Sequence, residues 1–120
     1  MTGKYFIDTN IIVYAHDNDS PHKQLKAQEI IFSSMRATNG VISAQVLSEF
    51  FITITSKIEN TYSVPAAKHE IMLLAYLEVV DIDYDLVLRA VGFQDTYRIN
   101  YWDGLILAAA ERADCNTLFS

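Results

Sequence analysis

Three acids in this 120-residue sequence stand where a solvated surface would not put them. Asp8 closes Tyr5-Phe6-Ile7, an apolar run of strand-forming residues, and Ile11-Ile12-Val13-Tyr14 follows it closely. An unpaired carboxylate in such a run is expensive to bury. Glu49 lies between Leu47 and Phe50-Phe51, beside an apolar stripe, and Asp103 shares one helical face with Ile106, Leu107 and Ala110. Each has an ordinary explanation when taken singly. Asp8-Thr9-Asn10 can end a strand and cap a helix, Asp103 can complement a helix dipole at about 0.3–1 kcal/mol, and Glu49 can keep its head in water. Together they suggest chemistry. Carboxylates brought close repel and raise one another's pKa unless a cation sits between them, and such hard oxygen ligands suit Mg²⁺ or Mn²⁺ and not zinc. An ion held this way lowers the pKa of a bound water and clamps the non-bridging oxygens of a phosphodiester. Hydrolysis of a nucleic-acid backbone is the matching reaction. Asn10 and Ser43 are candidates to order waters or phosphate oxygens beside the ion, and turn or cap roles fit them equally well.

The elements between these acids are those that would bring them together. Lys4–Asp8 reads as a strand buried on both faces, because its apolar residues do not alternate with polar ones. A short helix over 10–15 follows, then a turn at Asn18-Asp19-Ser20 and an amphipathic helix from Ser20-Pro21 to about Ala37. Val41-Ile42 is a second strand, and Ser43 caps a helix running to about Ile58 with Val46, Leu47, Phe50, Ile54 and Ile58 as its apolar stripe. A helix from Pro65 to about Leu77, a strand over Val79–Asp83, helices over 84–98 and 102–113, and a strand at Thr117-Leu118-Phe119 complete the chain. Short strands alternating with helices predict one α/β domain over 1–120, a short and mostly parallel sheet flanked by helices in three layers. In such a sheet the carboxyl ends of the strands and the starts of the following helices converge on one crevice. Asp8, Glu49 and Asp103 all lie near that convergence.

Composition removes several alternatives. Half of the residues are apolar and a fifth are charged, as in an ordinary globular protein. No run approaches the roughly 20 apolar residues that span a bilayer, and the N-terminus lacks a signal-peptide layout. The single Cys115 cannot form an internal disulfide and fits a reducing, cytoplasmic setting. Fifteen acids against nine bases give a net charge of −6, which on its face opposes nucleic-acid binding. Acids gathered at one metal site weaken that objection, because the bound ion neutralises them. His16, His22 and His69 lack zinc-ligand spacing, and four glycines form no phosphate loop.

Three segments together resemble a PIN domain: Phe6-Ile7-Asp8-Thr9-Asn10, Ser43-Ala44-Gln45-Val46-Leu47-Ser48-Glu49-Phe50, and Tyr101-Trp102-Asp103-Gly104-Leu105-Ile106-Leu107-Ala108-Ala109-Ala110. The similarity is greatest to the small single-domain toxins of VapC type, and it covers essentially the whole chain. It implies a metal-dependent endoribonuclease in which Asp8, Glu49 and Asp103 hold Mg²⁺ or Mn²⁺ and Asn10 and Ser43 line the pocket. It also implies an RNA substrate, a cognate antitoxin occupying the groove, and a homodimer. Phe51 and Phe93 are candidate residues for such a protein-binding surface. The family usually carries a fourth acid after its last core strand. That position would follow Ser120, so the fourth acid is not present within 1–120, and the expectation is that the natural chain continues.

Two rivals are set beside this reading. A non-catalytic PIN-fold module that binds RNA or a protein would tolerate the missing acid. A phosphatase using Asp8 as nucleophile would need an aspartate at position 10, where Asn10 stands.

Overall fold

A computed structural model describes residues 3–120. The elements are β1 (Lys4–Ile7), α1 (Thr9–His16), α2 (Pro21–Ala37), β2 (Gly40–Ser43), α3 (Ala44–Ser56), α4 (Val64–Leu74), β3 (Glu78–Val80), α5 (Tyr84–Tyr97), α6 (Tyr101–Arg112) and β4 (Cys115–Phe119). All four strands are parallel, in the order β3-β2-β1-β4. Phe6 is in register with Val41 on one side and Leu118 on the other. Each parallel step needs a crossover, and here each crossover is a pair of helices. The expected three-layer α/β/α architecture is the one observed.

Phe6, Ile7, Val41 and Ile42 are fully buried, as their unbroken apolar run demands, and Ile12, Val46, Phe50, Ile54 and Leu105 close over them from the helices. His16 belongs to this packing. Its Nδ1 lies 2.8 Å from the Ile12 carbonyl oxygen, its Nε2 lies 2.9 Å from Glu70, and its ring meets the edge of Phe50. Gly104 sets the approach of α6 to α5, since a Cβ there would stand 2.8 Å from the Ala90 carbonyl oxygen. Cys115 is half-buried, and burial above all pushes its thiol up to about 11, the reverse of an activated nucleophile.

Several boundaries differ from those expected. The third strand ends at Val80, and Asp83 instead caps α5, accepting from the Leu86 N–H at 2.9 Å and pairing with both Arg112 guanidinium nitrogens at 2.8 and 2.9 Å. The fourth helix stops at Leu74, three residues early, and β4 begins at Cys115, two residues early. Phe51 and Phe93 are partly buried against the core, and Phe51 also lines a shallow apolar depression with Leu47, Ile52 and Ile71. The exposed apolar side chains are others, among them Leu25, Phe32, Met72 and Tyr76.

The end of α2 carries a correctable strain. Exposed Thr38 caps it at φ 53°, ψ 38°, its N–H donating to the Met35 and Ser34 carbonyl oxygens. A β-branched residue is poorly suited to this left-handed conformation, which costs L-residues about 1–2 kcal/mol. Glycine's own entropic penalty of about 0.5–1 kcal/mol leaves Thr38→Gly with an expected net gain of up to about 1 kcal/mol. At roughly 4–8 °C per kcal/mol for a domain near this size, calorimetry should record a melting temperature a few degrees higher. No rise would mean that the Thr38 hydroxyl, which donates to the Ala37 carbonyl oxygen at 2.7 Å, offsets the strain.

Candidate active site

The chain proceeds from β1 outward through β2 to β3, then crosses the whole sheet to place β4 on the other side of β1. This makes the carboxyl end of β1 the switch point of the sheet, where open α/β folds leave a crevice. Asp8 stands there as the residue between β1 and α1. Its N–H donates to the Phe119 carbonyl oxygen at 2.8 Å, extending the sheet by one bond, and its Oδ1 accepts from the Thr9 N–H at 2.7 Å as the cap of α1.

A cleft of about 410 Å³ opens at this point, lined by Asp8, Thr9, Asn10, Gln45, Glu49, Ile52, Thr53, Lys57, Trp102, Asp103 and Ile106. The three acids singled out by sequence thus arrive from three segments: the end of β1, the second turn of α3 and the first turn of α6. Asn10 also lines the cleft. Ser43 does not; it is 1% exposed, and its hydroxyl accepts from the Val46 N–H at 3.3 Å as the cap of α3. Its pocket-lining role is therefore replaced by a structural one, because β2 delivers it into the interior. A wider depression of about 720 Å³ on α5, lined by Leu88, Val91 and Arg98, lacks this gathering of acids.

The electrostatics of Asp8 reflect its place. Burial raises its carboxyl above the ordinary value, the neighbouring charges of Glu49 and Asp103 raise it further, and the Thr9 N–H opposes them. Glu49 is held on both oxygens: the Thr9 hydroxyl donates to Oε1 at 2.7 Å, and Gln45 Nε2 donates to Oε2 at 3.3 Å. The same Nε2 donates to the Trp102 carbonyl oxygen at 3.1 Å, tying α3 to the start of α6. Gln45 is 4% exposed, and its Oε1 has no partner among the described residues. Asn100 caps α6, accepting from the Trp102 and Asp103 N–H groups at 2.7 and 3.4 Å, and so fixes the turn that carries Asp103.

Sequence reasoning did not single out Thr9, Gln45, Lys57 or Trp102. One signal for two of these lay in the spacing, since Gln45, Glu49, Thr53 and Lys57 recur every fourth residue along α3 and its C-cap as a polar stripe flanking its apolar one. The stripe runs from buried Gln45 to exposed Lys57, the one basic side chain on the cleft wall among the described residues.

As donors the site offers carboxylates with a hydroxyl and amide oxygens around them, a set that fits a hard divalent cation and offers zinc neither thiolate nor imidazole. Among the described residues no three carboxylates, imidazoles or thiolates cluster tightly enough to form a ready cage.

A parallel sheet covered by helices, with acids gathered outside its carboxyl edge, defines an α/β/α domain with an acidic crevice at the switch point. The chain belongs to the PIN-domain family, whose model matches residues 5–120. Solved structures share the fold. A toxin–antitoxin complex from Klebsiella pneumoniae has a chain 19% identical, covering 97% of this chain and 85% of its own, at a TM-score of 0.69. The Mycobacterium tuberculosis VapC20, a sarcin–ricin loop cleaving toxin, is 15% identical, covering 98% of this chain and 88% of its own, at a TM-score of 0.71. At these identities the likeness is one of fold. Comparison with curated proteins gave no match. None of the described helices is long and apolar enough to cross a membrane.

Proposed function

We propose that this protein is a metal-dependent endoribonuclease, the VapC-type toxin of a type II toxin–antitoxin pair, acting in the cytoplasm. One observation carries the reading: Asp8, Glu49 and Asp103, distant in sequence, line one cleft at the switch point, where burial and the neighbouring charges raise the Asp8 carboxyl above its ordinary value. These three carboxylates would hold Mg²⁺ or Mn²⁺, which supplies an activated water and charge stabilisation at the phosphate. The rest falls to the protein. Thr9 and Gln45 fix the orientation of Glu49, Asn100 fixes the turn bearing Asp103, and Lys57 attracts the RNA backbone toward an otherwise acidic cleft. The exposed Leu25, Phe32, Met72 and Tyr76 offer surface for an antitoxin and for a second copy in a homodimer.

A non-catalytic module that binds RNA or a protein is the second reading. It is favoured by the lack of a ready metal cage among the described residues. Incubation of purified, antitoxin-free protein with total cellular RNA separates the two. The expected result is discrete fragments with Mg²⁺ or Mn²⁺ and none with EDTA. RNA left intact with either metal, but retained by the protein, would establish the second reading instead.

A further inference from the structure

Trp102 combines an unusually fixed backbone with an unusually free side chain. Its N–H donates to the Asn100 side chain at 2.7 Å, its carbonyl oxygen accepts from buried Gln45 at 3.1 Å, and both bonds lie beside Asp103. The indole nonetheless is 57% exposed on the cleft wall. Tryptophan is highly buried on average, and nothing in the core requires this one. Its ring meets Tyr101 at 5.1 Å and 73°, an edge-to-face contact that steadies it without burying it. Lys57 lines the same cleft from α3, eight residues beyond Glu49, roughly 12 Å along a helix axis. A flat aromatic surface beside the acids and a cation further along are the two components by which single strands are bound: stacking for a base and charge for a phosphate. A base paired inside a helix cannot offer its face to a side chain in this way.

We propose that Trp102 is a base-stacking platform that selects an unpaired nucleotide beside the phosphate to be cut. The proposal rests on the RNA reading given above and adds to it a residue that chooses among RNA conformations. Lys57 then meets a phosphate about three to four nucleotides from the one beside Glu49, since a stacked strand advances about 3.4 Å per nucleotide.

Trp102 is the chain's only tryptophan, so its fluorescence reports this contact directly. The probe is a fluorescein-labelled, mixed-sequence 15-nucleotide RNA, alone or annealed to its complement. It is titrated in Mg²⁺ into protein carrying Asp8→Asn, which keeps the RNA intact. Anisotropy gives binding, and tryptophan emission gives stacking. The single strand should quench Trp102 and the duplex should not. Trp102→Ala should weaken single-strand binding about 5- to 150-fold, the range for loss of one stacked base. Trp102→Phe should restore most of that loss, and neither variant should lower the melting temperature. RNA that binds without quenching and binds Trp102→Ala equally well would overturn the platform while leaving the nuclease reading intact. Equal quenching by the duplex, or emission that follows protein concentration instead of RNA, would overturn it too. If no RNA binds and cellular RNA also survives intact, the platform falls together with the nuclease reading.

Discussion

Asp8→Asn should reduce RNA cleavage at least about a hundredfold and, in the absence of divalent metal, make the protein more stable than the wild type. Loss of activity follows from charge. A metal ion's stabilisation of the transition state is worth several kcal/mol, and each 1.36 kcal/mol is tenfold in rate. Asparagine keeps the shape and the cap. Its side-chain oxygen can accept from the Thr9 N–H as the Asp8 oxygen does at 2.7 Å, so the helix start is preserved.

The stability gain follows from linkage. Asp8 is raised above its ordinary value of 3.8, first by burial and then by Glu49 and Asp103. A carboxyl whose folded pKa is raised favours the fold when protonated; that contribution is complete below 3.8 and is lost as pH rises through the raised folded value. At neutral pH the metal-free wild type therefore carries a penalty that the asparagine variant lacks. Solvent reaches the cleft and screens the repulsion, so the gain should be below about 1 kcal/mol, or a few degrees at most. Metal reverses the order. An ion at a hundredfold excess over its Kd stabilises the protein that binds it by about 2.7 kcal/mol, and the variant should bind it more weakly. Melting curves of both proteins in EDTA and in saturating Mn²⁺, at neutral pH and below 3.8, test this directly. A variant that melts well below the wild type in EDTA would show that Asp8 serves the fold and not the cleft.

The contrast between Asp8 and Ser43 shows what was legible in the sequence. Asp8 was readable because a carboxylate terminating an apolar strand has few inexpensive explanations, and the parallel sheet implied by alternating elements supplies a crevice at that end. Ser43 occupies a similar local context, but whether a cap faces the cleft or the interior depends on how β2 meets α3, a tertiary property. Asp103 was identified through its helical face, yet its face-mate Leu107 is 37% exposed while Gly104 and Leu105 are buried. The buried arc of α6 is turned from the expected one because Gly104 brings that side against α5. The early end of β3 has a different, local cause: Asp83 caps α5 by accepting from the Leu86 N–H, and the exposed Arg112 pair only adds to that cap.

Gln45→Leu should lower the cleavage rate about 10- to 100-fold while leaving the melting temperature nearly unchanged. Sequence reasoning did not single out this residue, and its role rests on the network it joins. Both partners of its Nε2, the Glu49 carboxylate and the Trp102 carbonyl oxygen, can only accept, which fixes the orientation of the amide. Leucine fills similar space and removes both donations. It also removes the unpartnered buried Oε1, a liability of about 1–3 kcal/mol. The Trp102 carbonyl oxygen retains the helical bond expected in α6, and Glu49 retains the Thr9 hydroxyl at 2.7 Å. Gains and losses in folding free energy therefore nearly cancel. Orientation has no such compensation. With one of its two fixed bonds gone, Glu49 can swing away from Asp8 and Asp103, and α6 is no longer tied to α3. Removing a group that orients a metal-binding side chain typically costs 10- to 100-fold in affinity or activity. Gln45→Glu sharpens the test, because an ionised glutamate cannot donate to either partner and adds a fourth negative charge beside the other three. It should be at least as inactive as the leucine variant and, unlike it, lose stability as pH rises through the carboxylate range. Full activity in Gln45→Leu would assign the control of Glu49 to Thr9 alone, whereas unfolding would make Gln45 a packing residue.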